Sequence, residues 1–363
     1  MTEDPRTLSS GAHRKIDGGR SGPRVPRMPL SELVTAIETV SILGDVNGVI
    51  VSGVSFDSRH VMPGDIFCAI AGEHFDGHHF INDAVARGAV AVVVERYVPL
   101  PIVQLRVHPG SMRVQMAKLA NRFYGNPSAR LPMVGITGTN GKTTTSFMLA
   151  SIARAADRSP FVIGTLSGYR TTPESPVIQN SLYQALEDSD DIAIMEVSSH
   201  ALDQHRVDEI VFDIGIFTNL TQDHLDYHHT MDAYYMTKAR LFEIARCRIG
   251  VVNIDDPWGA RLTRDSQIVV ETYSIEDAVD LEMAAQGSNF VLDGIPIKLG
   301  VAGKHNVYNA LAAAKAGKIL GYSPNSIQLG LESFRGVSGR LERLEEGQSF
   351  GVQVDFANTQ VAL

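Results

Sequence analysis

The feature that most constrains this chain is Gly138-Thr139-Asn140-Gly141-Lys142-Thr143-Thr144-Thr145. It follows a buried-type strand run, Pro132 to Ile136, and opens a stretch of helical spacing, Thr143 to Ala156. A strand, a glycine-rich loop and a helix in that order aim backbone N–H groups and the positive end of a helix at one point. Phosphate fits such a point. Lys142 can neutralise its β/γ oxygens, and the Thr143 hydroxyl can bind Mg²⁺. Ile136 stands where the standard phosphate-loop pattern has Gly. A purely structural turn between strand and helix is the alternative reading.

The rhythm around the loop extends this to a fold class. Phe161–Ile163, Ile192–Val197, Phe212–Phe217 and Ile249–Ile254 read as strands. Pro176–Leu186 and Met231–Ala245 read as helices. The alternation predicts an α/β protein with a mostly parallel central sheet and helices on both faces. Upstream, Val51–Phe56, Asp65–Ile70 and Ala89–Glu95 read as strands of a smaller α/β unit, with a helix over His79–Gly88. A helix capped by Ser31 precedes them. Ser111–Phe123 reads as an amphipathic helix, and Gly125-Asn-Pro marks a boundary. Residues 275–300 read as a meander. Asn306–Leu320 and Ser323–Phe334 read as helices, the second with Ser323 as cap and Pro324 at its first position, and Gly351–Phe356 as a last strand. The expected division is a disordered leader over 1–27, a first domain over 28–107, a linker helix over 108–130, and a central domain over 131–345. No internal repeat is visible.

Composition narrows the function. At 363 residues the chain exceeds what one core usually serves. A net charge of −9 argues against a general nucleic-acid binder. No apolar run approaches the ~18–20 residues of a membrane-spanning helix, and no secretory signal is visible, so a cytoplasmic protein is expected. Cys68 and Cys247 read as buried thiols in a reducing compartment.

Downstream, Glu196 ends a buried strand, where ligands bind in open parallel sheets and where a carboxylate suits Mg²⁺. An N-cap partner for the next turn is the alternative. His224 follows the next strand in the same way. His200, His205, His228 and His229 crowd nearby, and each reads first as structural or surface. Their spacing fits no zinc motif.

Three segments together resemble the Mur ligases of peptidoglycan synthesis: Gly138-Thr-Asn-Gly-Lys-Thr-Thr, Met195-Glu-Val-Ser-Ser-His-Ala-Leu and Thr218-Asn-Leu-Thr-Gln-Asp-His-Leu-Asp. The nearest branch is the UDP-N-acetylmuramoyl-tripeptide synthetases. Asp57-Ser-Arg, Pro63-Gly-Asp-Ile-Phe and Gly77-His-His-Phe resemble that branch's UDP-binding domain. Gly303-Lys-His-Asn-Val-Tyr-Asn309 resembles its adenine-side motif. The resemblance implies ATP and Mg²⁺ as cofactors, with Gly138, Thr139, Asn140, Gly141, Lys142, Thr143 and Thr144 around the phosphates. It implies Asn309 at adenine, Arg340 near the nucleotide and Asp355 at the ribose. Lys142, Glu196, His224 and Lys238 are implied as catalytic. Thr143, Glu196, His224 and Lys238, the last if carbamylated, are the implied magnesium ligands. Phe56, Ser58, Thr171, Thr172, Ser198, Gln204 and Arg206 are implied contacts of the UDP-sugar substrate. Carbamylation turns an ammonium, which repels Mg²⁺, into an oxygen donor suited to a hard cation.

The implied reaction is ATP-dependent amide formation through an acyl phosphate. A free amino acid, usually diaminopimelate or lysine, is added to UDP-MurNAc-Ala-Glu. Residues 346–363 read as the start of a truncated C-terminal domain, where Asn358, Gln360 and Val361 depart from the family pattern. Impaired activity of the isolated chain, or a separate chain supplying the missing domain, is therefore expected. A non-catalytic nucleotide and UDP-sugar binder, and a folylpolyglutamate-synthase-like ligase, are the alternatives.

Overall fold

A computed structural model describes residues 26–72, 75–168, 170–339, 342–344 and 352–354. The first region runs β1 (Met28–Pro29), α1 (Leu30–Leu33), β2 (Thr39–Leu43), β3 (Ile50–Val51), β4 (Gly53–Ser55), β5 (Asp65–Cys68), α2 (Ile81–Ala86), β6 (Ala91–Val94) and β7 (Val103–Val107). Five of these strands form a sheet in the order β2-β7-β6-β5-β4, parallel except where β2 meets β7. β1 and β3 pair separately. α3 (Met112–Phe123) then buries Met112, Met116, Leu119 and Phe123 on one stripe, the pattern its 3.6-residue period gives.

The second region runs β8 (Met133–Thr137), α4 (Lys142–Ala155), β9 (Pro160–Ile163), α5 (Ser175–Glu187), β10 (Ile192–Glu196), α6 (Ser199–Asp203), β11 (Phe212–Phe217), α7 (Leu225–His228), α8 (Met231–Ala239), β12 (Cys247–Asn253), α9 (Pro257–Asp265) and β13 (Val269–Tyr273). Its six strands are all parallel, ordered β13-β12-β11-β8-β10-β9. β8 and β10 are buried at every position, as central strands of a sheet covered on both faces must be. After β10 the chain crosses to the other side of β8. The carboxyl ends of β8, β10 and β11 therefore flank the point where the order reverses, the usual place for a ligand crevice.

An antiparallel meander follows, β14 (Val279–Ala284), β15 (Gly287–Leu292) and β16 (Ile295–Leu299), then α10 (Lys304–Ile319) and α11 (Pro324–Ser333). α10 and α11 pack on α4. Small residues permit the close approach: Ala310, Ala312, Ala313, Ala314 and Ala316 are buried, and a Cβ at Gly330 would overlap Ile152 backbone. Ser323 caps α11 by accepting from Ser326 N, and Pro324 opens it. β17 (Glu342–Leu344) and β18 (Val352–Val354) pair antiparallel.

Several local expectations change. α1 spans only four residues with Pro29 at its N-cap, so Ser31 lies inside the helix and caps nothing. The strand expected over 51–56 breaks at Ser52, whose N–H leaves the ladder for Gly64 O. α8 ends at Ala239 and tightens to a 3₁₀ turn that buries Leu241 and Phe242. β2, β7, α9 and β13 had not been anticipated. Cys68 and Cys247 are both free and buried, and burial pushes each thiol up to about 12. Of the leader expected over 1–27, only residues 26 and 27 are among the described residues, and of the segment 346–363 only Val352–Val354. Arg340 and Asp355 also lie outside them.

Candidate functional site

The loop from β8 to α4 is held by its neighbours. Gly138 and Gly141 have φ of +147° and +87°, which L side chains resist, and a Cβ on them would overlap Thr218 Oγ1 and Asn309 Oδ1 respectively. Thr139 N donates to Asn219 O and Asn140 N to Asn219 Oδ1, so the motif after β11 supports the loop. Lys142 begins α4 and folds back, its Nζ donating to Gly138 O at 2.8 Å and Thr139 O at 2.9 Å. Thr144 is half-buried on the same first turn. Asn309 sits behind the loop, its Oδ1 accepting from Thr145 Oγ1 and its Nδ2 donating to Asn306 Oδ1.

Glu196, at the carboxyl end of β10, is fully buried. Its Oε2 accepts from Thr143 Oγ1 at 2.9 Å and Thr165 Oγ1 at 3.1 Å, and its Oε1 from Thr165 N at 3.0 Å. Gly164 makes room, since a Cβ there would overlap Glu196 Oε1. Burial raises the carboxyl above its usual range, and the charge of Lys142 opposes this. An N-cap role is therefore set aside: Ser198, not Glu196, caps α6, its Oγ accepting from Ala201 N.

Lys238 is buried at the end of α8, with Nζ donating to Gly138 O at 3.0 Å and standing 4.7 Å over the Tyr234 ring. Burial, and next Lys142, hold its amine well below the usual lysine range. Both lysines thus converge on the Gly138 carbonyl. Tyr234, one turn before Lys238, reaches Thr139 Oγ1 at 3.3 Å. His224 has φ of +52° and lies edge-on to His200 at 4.9 Å and Tyr234 at 6.2 Å. Burial, followed among the lowering influences by the Lys238 charge, holds its ring below the usual histidine range. His228 is buried against Ser199 Oγ at 2.9 Å and stacks on Tyr234. His205 pairs with Asp208 at 2.8 Å. Each ring thus has a partner within the fold.

On the other side of Glu196 lies a second group. Thr172 Oγ1 donates to Glu196 O at 2.8 Å and accepts from Ser198 N at 3.0 Å. Thr171 meets Thr165 through its hydroxyl. Arg206 NH1 donates to Thr172 O at 3.0 Å and NH2 to Gln204 Oε1 at 2.6 Å. Thr171, Thr172, Ser198, Gln204 and Arg206 are thus brought together around one strand end. Phe56 and Ser58 sit just beyond β4, and no hydrogen bond or ion pair joins them to this group among the described residues. The sequence reading missed Thr165 and Tyr234. Only Tyr234 carried a signal, its i, i+4 spacing to Lys238.

Among the described residues no three His, Cys, Asp or Glu side chains form a metal cluster. What the site offers instead is one hydroxyl and one buried carboxylate beside a phosphate loop. That fits Mg²⁺, which takes one or two protein oxygens and completes its shell with phosphates and water.

Fold and loop together define a phosphate-loop α/β protein in which the loop and the Thr172–Ser198 group meet at one strand end. The profile of the Mur ligase middle domain matches residues 136–317, and that of the Mur ligase family catalytic domain matches 50–127. A UDP-N-acetylmuramoyl-L-alanyl-D-glutamate–2,6-diaminopimelate ligase of Geobacter metallireducens is 41% identical over 341 residues, covering 86% of this chain and 66% of its own. That of Geobacter sulfurreducens is 39% identical over 364 residues, covering 93% and 71%. A solved structure of a ligase of that name superposes with a TM-score of 0.76 at 27% identity, covering 92% of this chain and 72% of its own. A MurF ligase of Thermotoga maritima, solved in complex with ADP, shares the fold with a TM-score of 0.64 at 23% identity, over 81% of this chain and 69% of its own. The chain belongs to the Mur ligase family, the ATP-dependent ligases of peptidoglycan precursor synthesis. It spans about two thirds of the length of the curated relatives it matches.

Proposed function

We propose that this chain carries the ATP and UDP-substrate sites of a ligase that adds an amino acid to UDP-MurNAc-Ala-Glu. One observation carries the reading. Glu196 binds the phosphate loop through its carboxylate, at Thr143, and the Thr172–Ser198 group through its backbone carbonyl. A γ-phosphate on one side and a substrate carboxylate on the other would meet at this strand end. The carboxylate attacks phosphorus, ADP leaves, and the incoming amine then displaces phosphate from the acyl phosphate. Such chemistry needs positioning and charge neutralisation more than a protein nucleophile. The relatives' names favour 2,6-diaminopimelate as the amine.

In this reading the loop from Gly138 to Thr144 holds the phosphates, Lys142 unfolds from Gly138 O onto them, and Asn309 faces adenine. Thr143, Glu196, His224 and Lys238 would hold Mg²⁺, which offsets phosphate charge. Lys238 suits carbamylation, because CO₂ adds to the deprotonated amine, burial holds this amine well below the usual lysine range, and the carbamate keeps one N–H for Gly138 O. Thr171, Thr172, Ser198, Gln204 and Arg206, with Phe56 and Ser58 from the first sheet, serve the UDP-sugar substrate. With the domain division at 28–107, 108–130 and 131–345, ATP falls to the central domain and the UDP-sugar substrate spans the first and central domains. No described helix is long and apolar enough to cross a membrane, and we place the reaction in the cytoplasm, with its ATP.

The test is phosphate release from ATP by the purified chain with Mg²⁺, bicarbonate and UDP-MurNAc-Ala-Glu, with and without diaminopimelate. Amine-dependent release with a tripeptide product is expected, at the impaired rate anticipated for the isolated chain and falling a further ~10²–10³-fold in Lys142→Met. Binding of both ligands with no release would refute the ligase reading and leave a binder.

A further inference from the structure

Three guanidinium groups from separate parts of the chain converge on one buried carboxylate that neither motif nor spacing singled out. Glu174, just before α5, is 4% exposed. Its Oε2 accepts from Arg113 NH1 at 2.5 Å, and its Oε1 from Arg170 NH1 at 2.9 Å. Arg206 Nε stands 3.2 Å from Oε1, an ion pair without hydrogen-bond alignment. Arg113 lies on α3, which follows the first sheet and packs against α5. Arg206 follows α6 and is itself 8% exposed.

The arrangement fixes Arg206 from three directions: Glu174 at Nε, Thr172 O at NH1 and Gln204 Oε1 at NH2. Each terminal nitrogen spends one of its two hydrogens on these partners. One hydrogen on each remains for a further acceptor, and an anionic oxygen would bond it most strongly. The charge count agrees. Three guanidiniums share one carboxylate; Arg170 is 59% exposed and solvated, whereas Arg206 is buried and an anion there would be favoured. Without Glu174 the repulsion among the three cations would go unopposed, and Arg206, oriented by Thr172 O and Gln204 Oε1, would lose the charge that holds it there.

We propose that Glu174 is a positioning residue for the anionic UDP-substrate, holding Arg206 in place and tying it through Arg113 to the helix that follows the first sheet. The proposal rests on the functional reading above. It adds that substrate geometry depends on a carboxylate that touches no substrate. Glutamine in its place offers one acceptor and one donor group, so its amide N–H₂ turns toward a guanidinium and one arginine is expelled.

Calorimetric titration of the full chain with UDP-MurNAc-Ala-Glu, and separately with ADP and Mg²⁺, tests this. Glu174→Gln should weaken the UDP-substrate by about tenfold or more, the scale of a hydrogen bond to a charged group. ADP affinity should stay close to that of the parent chain, whereas the melting temperature should fall, because the buried Arg206 loses its counter-charge. Arg113→Met, which leaves Glu174 and Arg206 in place, should weaken the UDP-substrate by a smaller factor. Equal UDP-substrate affinity in parent and Glu174→Gln overturns the proposal. So does a matching loss of ADP binding, which marks a general structural role. Failure of the parent chain itself to bind the UDP-substrate overturns the functional reading instead.

Discussion

Gly164→Ala isolates the contact between the strand after α4 and the buried carboxylate. Gly164 has φ of −174°, extended backbone open to any residue, so the change acts through space alone. The new Cβ would overlap Glu196 Oε1 and lie 2.7 Å from its Cδ. Glu196 is fully buried and cannot swing into water. It must instead give up some of the bonds from Thr143 Oγ1, Thr165 Oγ1 and Thr165 N. Overpacking of this kind costs ~1–3 kcal/mol, and a bond to a charged group contributes ~1.5–3 kcal/mol. Partial relaxation makes these terms less than additive, so a loss of about 2–4 kcal/mol is expected. Urea unfolding followed by fluorescence reads it, because the one tryptophan of the chain, Trp258, lies on α9 against Tyr235 beside the same sheet. The decisive comparison is a double-mutant cycle. In a Glu196→Ala background the obstructing atoms are gone, and Gly164→Ala should cost under ~1 kcal/mol. Equal costs in the two backgrounds would refute the steric reasoning.

Two further outcomes follow from the geometry. Burial pushes the Asp208 carboxyl up, but the hydrogen bond from His205 and the charge of Arg246 outweigh it and bring the group down to about 2. Its folded pKa lies below its unfolded value near ~3.9, so its stabilisation is present above about pH 4 and lost as pH falls toward about 2. Asp208→Asn should flatten urea midpoints across that window, and parallel profiles for the two proteins would sink the assignment. Gly141→Ala forces a side chain into positive φ and onto Asn309 Oδ1. It should cost ~1–3 kcal/mol of stability and lower ADP affinity measurably by calorimetry, and unchanged affinity would contradict the role given to that turn.

The readable parts of this protein are those whose signal is contiguous. The buried run of β8, the glycines of the loop and the helical period of α4 lie side by side, and each dictates its own backbone. β11 matches the stretch read from its apolar run, Phe212–Phe217, for the same reason. So does the start of α11, where Ser323 and Pro324 act within one turn. β2 and β13 were not readable. β2 buries no residue fully and β13 only Tyr273, so neither carries a buried apolar run and pairing with a neighbour decides them.

The site divides along the same line. The sequence by itself determined the phosphate loop and the carboxylate at a strand end, because each is a local pattern with its own chemistry; Lys238 stood out only through the family resemblance, reads otherwise as a solvated helix residue, and is buried. The sequence could not place Thr143 on Glu196, or Lys142 and Lys238 on one carbonyl, since these partners are 53 and 100 residues apart along the chain from the groups they meet. Nor could it find Glu174, whose partner Arg113 is 61 residues away. Strand order decided these meetings. By setting β10 and β11 on opposite sides of β8, the parallel sheet brings three distant strand ends to one crevice, and only burial there gives an ordinary carboxylate or lysine its altered chemistry.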